Sequence, residues 1–129
     1  MNAKSSIALL FAGFSLGFLT LPTLAETEPN CKDPQTQVEM TMCAGRAAKS
    51  SDRELNQMYR QVRAKYKGTS QDDRLVTAQL AWMKFRDAEC AVSAGRYEGG
   101  TMAPMAYAGC VDRLTQQRTK DLARYLEEG

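Results

Sequence analysis

No histidine occurs anywhere in this chain of 129 residues, and that one absence removes a large part of enzyme chemistry. A His-based triad, a histidine general base and an imidazole metal ligand are all excluded. The four cysteines include no Cys-x-x-Cys pair, which leaves a zinc site only as the runner-up to disulfides, and no cofactor or metal is expected. An excess of charge is missing too: 17 Lys and Arg face 15 Asp and Glu. That balance argues against nucleic acid and against an anionic membrane surface as partners. Beyond residue 25 no apolar run is long enough to span a bilayer. There is one tryptophan, and no internal repeat, low-complexity tract or strand-like alternation.

What is present begins with an export signature. Residues 1–25 carry Lys4, an uncharged apolar run over 7–21, then Pro22 and the small-residue ending Thr23-Leu24-Ala25, the three-part layout of a secretory signal peptide. The mature chain is then residues 26–129, one small domain, periplasmic or secreted. No cysteine near the cleavage point is available for a lipid, so no membrane anchor is expected after cleavage. Cleavage removes Lys4 and no acid, leaving the domain close to neutral.

In an oxidising compartment Cys31, Cys43, Cys90 and Cys110 read as two disulfides, each worth about 2–4 kcal/mol. Three connectivities are possible. The local pairings Cys31–Cys43 and Cys90–Cys110 are favoured, but the helix layout gathers all four cysteines at one end, and the crossed pairings remain open.

The chain is organised around a helix over residues 75–90. Leu75, Ala78, Trp82, Phe85 and Glu89 follow 3-4-3-4 spacing and predict its inward seam, widened by Val76, Leu80 and Met83. Trp82 is the expected core anchor, an indole able to remove roughly 150–250 Å² from water. Gln79 and Arg86 flank it, and polar groups there need partners or cost on the order of 1–3 kcal/mol each. The preceding helix is expected to start with Asp33 as cap and Pro34 in the first turn. Its line is Ala44, Ala48, Ser51, Leu55, Met58, Val62 and Tyr66, and Gly68 stops it. Gly45 and the stretch Ser51-Asp52-Arg53-Glu54 offer a bend. Ser70 with Asp73 marks the next helix start, and the short connection sends the chain back antiparallel. Asp52, Asn56 and Tyr59 then border the first seam as Gln79 and Arg86 border the second, predicting a cross-helix polar network of structural role.

Residues 91–103 form the long connection, with turns at Gly95, Gly99 and Gly100 and a possible helix cap at Thr101. Arg96, Tyr97, Glu98, Gly99, Gly100 and Thr101 are the candidate partner-binding residues, an amphipathic ring between two charges. The competing reading is that the glycines merely turn the chain while Cys90 and Cys110 pin it. A third helix over about residues 104–126 carries Tyr107, Val111, Leu114, Leu122 and Tyr125, with Arg118 interrupting the stripe and seeking a carboxylate from Asp52, Asp87 or Glu89. The predicted fold is all-α: a small antiparallel three-helix domain stapled by two disulfides at one end.

The segments TQVEMTMC (36–43), DRELNQMY (52–59), AQLAWMKFRDAEC (78–90), YEGGT (97–101) and LTQQRTKDL (114–122), with Cys110, resemble the LprI-type lysozyme-inhibitor-like domain family of exported bacterial proteins. The most specific piece is AQ-x-AW-x-x-FRD-x-x-C, here Ala78, Gln79, Ala81, Trp82, Phe85, Arg86, Asp87 and Cys90. The resemblance implies a helical, disulfide-bonded domain of the cell envelope and lysozyme, or another muramidase, as partner. Two functions follow: an inhibitor that blocks the enzyme's cleft, or an envelope binding or scaffold module with another protein or glycan partner. Catalysis is the weaker class, since Asp52, Asp87 and Glu89 are more simply partners for Arg86 and Arg118 than a hydrolytic pair. Asp72-Asp73 is likewise a helix-start charge pair before it is a calcium site.

Overall fold

The computed structural model describes residues 28–128, in which three helices follow one another: α1 (Gln37–Tyr66), α2 (Ser70–Gly95) and α3 (Ala103–Glu127). The signal peptide read over residues 1–25 lies outside the described residues. α1 starts later than Asp33-Pro34 suggests, because a complete capping box sits just beyond it. The Thr36 hydroxyl accepts the Glu39 N–H at 3.1 Å, and the Glu39 carboxylate accepts the N–H groups of Gln35 and Thr36 at 2.8 and 3.0 Å. Those two backbone donors hold the Glu39 carboxyl below its ordinary pKa. α1 then runs unbroken through Gly45 and Ser51. Gly68 ends the turn at φ +78°, a left-handed conformation that favours glycine.

At the start of α2 it is Thr69, not Ser70, that caps, its hydroxyl accepting the Gln71 N–H at 3.3 Å. α2 continues past Cys90 to Gly95, so the connection to α3 is shorter than the 91–103 expected from the glycines. Thr101 does not cap α3. The cap position is Met102, without a side-chain bond, and the proline of the first turn fixes the entry.

The direction of each helix follows from its cross-links. Ser51 donates to Asp112, and Lys65 Nζ donates to the Tyr125 carbonyl at 2.8 Å, partners separated by 61 and 60 residues respectively. A constant offset along two helices means that α1 and α3 run parallel. α2 runs against both: Arg63 meets Asp72 while Asp52 meets Arg86, and Gln79 meets Arg118 while Cys90 meets Cys110. Although α1 and α2 are joined by the tight turn, the main interface is α1 on α3, with α2 laid chiefly on α3.

The two halves of the bundle are held differently. Leu55, Val62, Leu75 and Leu122 form the enclosed cluster, and Met58, Tyr59, Tyr66, Trp82 and Leu126 pack against it. Each such aliphatic contributes about 1.5–3 kcal/mol on burial. The other half is stapled: Cys31–Cys43 ties the lead segment to α1, and Cys90–Cys110 ties α2 to α3. Lys65 reaches across at the far end to the Tyr125, Leu126 and Glu128 carbonyls, groups that α3 leaves unpaired there.

The inward face of α2 differs from the predicted seam. Leu75, Gln79, Trp82, Arg86 and Cys90 point inward, while Ala78, Phe85 and Glu89 are exposed, as are Leu80 and Met83. Trp82 is half-buried and lies beside the aliphatic cluster rather than at its centre. Gln79 and Arg86 take the interior because their partners are there. Gln79 Oε1 accepts from Arg118 Nε at 3.0 Å, so Arg118 finds an amide in place of the expected carboxylate. The Arg86 guanidinium lies 5.2 Å from the Trp82 ring centre and pairs with Asp87 at 2.9 Å and Asp52 at 3.5 Å. Asn56 donates to Asp52 at 3.2 Å, whereas Tyr59 packs against the core cluster. The single network read from the sequence is thus two separate groups, one around Arg86 and one joining Gln79 to Arg118.

Three outcomes follow. Arg86→Met is expected to lower unfolding free energy in urea by about 1–2 kcal/mol, since it removes charged hydrogen bonds from a largely buried guanidinium; unchanged stability would mean that the Arg86 group holds nothing. The Cys90→Ser, Cys110→Ser double variant opens a loop of sequence separation 20 and is expected to lose about 3 kcal/mol in the same assay. Arg63 donates to both oxygens of Asp72 at 2.7 Å, which holds that carboxyl below its ordinary pKa, the hydrogen bond being the first cause. A depressed folded pKa gives stability that is full above the unfolded value of about 3.9 and is lost as pH falls through the folded one. Asp72→Asn should therefore flatten the acid limb of the stability profile below about pH 4, measured by thermal unfolding across that range.

Candidate partner-binding site

The connection between α2 and α3 is a chain of tight turns. The N–H groups of Tyr97, Glu98 and Gly100 each reach back three residues, to the carbonyls of Ala94, Gly95 and Tyr97, at 2.9, 3.3 and 2.9 Å. Arg96 keeps helical angles, so the segment leaves α2 along the helix direction before it turns. Gly99 has φ +76°, and a Cβ on Gly100 would stand 3.2 Å from the Tyr97 carbonyl oxygen. The two glycines thus have a conformational role, which leaves Arg96, Tyr97 and Glu98 as the side chains the loop presents. All three are exposed, the tyrosine by 41%. The base of the loop is fixed by the buried Cys90–Cys110 bridge and by the helix on either side. A loop held in this way loses little conformational freedom on binding.

Beside the loop lies a feature that the sequence reading missed. Gln37, Val38, Thr41 and Met42 of α1 close with Thr101 and Pro104 around an open apolar hollow of about 320 Å³. Val38, at 67% exposure, and Met42 form its rim, and Met102 is exposed nearby in the connection. Its polar floor is tied down: Gln37 Nε2 donates to Thr41 Oγ1 at 3.3 Å and to Met105 Sδ at 3.6 Å. The signal in the sequence was Val38 and Met42, an i, i+4 apolar pair lying off the Leu55 line. Nothing local told which helix would stand opposite.

The remaining sequence-predicted residues sit elsewhere. Asp52 and Arg86 line a separate open groove of about 450 Å³ with Ala48, Lys49, Arg53 and Val111. Asp87 and Asn56 attach to that group through Arg86 and Asp52, and Gln79 with Arg118 lies deeper in the bundle. Loop and polar groups are not brought into one site. Among the described residues all four cysteines are bridged and no cluster of three metal-ligating side chains occurs. The chemistry available at the loop is recognition: one aromatic ring, two opposite charges and an adjoining apolar hollow.

Three likenesses bear on this arrangement. The solved structure of a DUF1311 family protein from Pseudomonas putida KT2440 superposes with a TM-score of 0.65 at 21% identity, covering 78% of this chain and all of the other, which establishes the same fold. An uncharacterized protein of Rhizobium meliloti (strain 1021) is 32% identical over 121 residues, taking in 84% of this chain and 87% of the relative. The family model described as lysozyme inhibitor LprI matches residues 29–122, a span that holds all three helices nearly whole, both disulfides and the connecting loop. The chain therefore belongs to the LprI lysozyme-inhibitor family.

Proposed function

We propose that this protein is an exported, non-enzymatic inhibitor that occludes the cleft of a lysozyme or related muramidase with its α2–α3 loop. The observation that carries the reading is the family match over residues 29–122. The loop as contact surface is supported by its fixed conformation, by the exposure of Arg96, Tyr97 and Glu98, and by the apolar hollow beside Thr101. A muramidase cleft holds a protonated carboxylic acid beside a carboxylate, and Glu98 at the loop tip can accept a hydrogen bond from that protonated acid. Tyr97 supplies rigid amphipathic area next to it. Export accords with the two disulfides, which persist in an oxidising compartment, and no described helix is long and apolar enough to cross a membrane.

One observation favours the second reading, an envelope module that binds without inhibiting. With 17 basic and 15 acidic side chains, the chain carries no acidic excess of the kind that steers a protein towards a basic enzyme. Under the inhibitor reading, affinity has to come from close contact at the loop and hollow, and salt should affect it little. A titration of the oxidised protein against basic lysozymes of more than one type, followed by cell-wall hydrolysis at low and moderate salt, tells the two apart. Saturating loss of activity near one-to-one is the expected result; no loss at large excess would sink inhibition of those enzymes. Tyr97→Ala with Glu98→Ala should weaken inhibition by about tenfold or more without altering unfolding, in line with the loss of a central contact. Inhibition that survives the pair would place the contact surface elsewhere.

A further inference from the structure

α2 carries a second apolar line that the bundle does not use. Ala78, Ala81, Phe85, Ala88 and Val92 repeat at 3-4-3-4 spacing, the a and d positions of a heptad, and all five are exposed, Phe85 by 56% and Val92 by 64%. The line spans about 21 Å of helix. On the other flank, the apolar run of Val76, Leu80 and Met83 ends at Asp87, which is held by Arg86. Only the Phe85 line continues without a charge to Val92.

The flanking charges specify an occupant. With Phe85 at an a position, Lys84 falls at g and Glu89 at the following e. Both are exposed, and neither takes part in any of the ion pairs among the described residues. In a parallel helix pair a g residue faces the e residue five positions on in the other helix, so Lys84 would meet Glu89 of the partner subunit, and the two-fold axis repeats the contact. An antiparallel pair sets g against g and brings the two Lys84 side chains together instead.

We infer that the Phe85 face of α2 is a self-association surface on which a second copy of this chain packs in parallel, with Phe85 at the centre, alanines allowing close approach and reciprocal Lys84–Glu89 pairs fixing the register. One helix pair is small against a standard interface of about 1,600 Å², so the dimer dissociates on the order of micromolar concentration. The parallel arrangement also sets the two α2–α3 loops at the same end of the dimer, since each follows directly from Gly95.

Sedimentation equilibrium of the purified, oxidised protein over roughly 1–100 µM tests this. The expected result is a mass that rises towards twice the monomer. Phe85→Glu should raise the dissociation constant by roughly thirtyfold or more, as for a central anchor, with the far-UV circular dichroism and melting temperature of the monomer retained because the side chain is exposed. Lys84→Glu should weaken the dimer, and the Lys84→Glu, Glu89→Lys double variant should restore it. A monomer at every concentration, or a dimer indifferent to Phe85→Glu, would overturn the surface. A dimer that Phe85→Glu breaks but the charge exchange does not restore would overturn the parallel register and leave a copy packed antiparallel as the occupant.

Discussion

The rotation of α2 about its own axis is set by two polar side chains that have to be satisfied inside the bundle. Gln79 and Arg86 lie on the same face as Leu75, Trp82 and Cys90, and each has a partner on a neighbouring helix, Arg118 on α3 and Asp52 on α1. Turning α2 to bury Phe85 would carry both away from those partners and leave Arg118, which stays in the interior, without the amide oxygen it donates to, at roughly 1–3 kcal/mol. The exposed phenylalanine gives up a comparable amount of burial. Specific hydrogen bonds thus decide between two faces that differ little in apolar content. The guanidinium also stacks on Trp82, so the tryptophan works as a platform for Arg86 as much as a core residue.

That choice divides the domain along its length. At the turn end, aliphatic side chains from all three helices close on one another, and Lys65 ties α1 to the carbonyls at the end of α3. Among the described residues no equivalent cluster of large side chains is enclosed at the other end, and covalent bonds take over: Cys31–Cys43 and Cys90–Cys110 hold what packing does not. For a small domain this is an economical solution, since a bridge between α2 and α3 constrains the unfolded chain without demanding more core volume. It also leaves large apolar groups exposed at the stapled end. Val38, Met42 and Met102 remain in solvent beside a loop whose backbone is closed on itself by short-range hydrogen bonds.

The two surfaces proposed for binding differ in their physics. The loop and its hollow offer a rigid, mixed surface at one end of the bundle, suited to a concave partner. The outer face of α2 is long, regular and apolar with reciprocal charges, suited to another helix. They meet at Gly95, where the helix ends and the loop begins.

Much of this was legible in the sequence. The three helices, the end-on clustering of the cysteines and the family motif all follow from short-range patterns: periodicity, spacing and the order of residues around Trp82; the local disulfide pairing was favoured there, and the structure chose it over the crossed ones. Even the true cap of α1 was present as a Thr-x-x-Glu signature at Thr36 and Glu39, although Asp33-Pro34 offered a competing start, and Thr69 and Ser70 are adjacent hydroxyls that local chemistry does not separate. What only the tertiary structure decided is which face of each helix turns inward. Phe85 outranks Arg86 on any scale of hydrophobicity, yet Arg86 is inside, because its partners Asp52 and Asp87 and the Trp82 ring stand there together. Periodicity measures the preference of one helix for being covered; it carries no information about what a helix 34 residues away places opposite it. The packing of α1 chiefly on α3 rather than on its chain neighbour α2, and the hollow between Val38 and Pro104, came from the same source: contacts between segments some 60 residues apart, which no local pattern encodes.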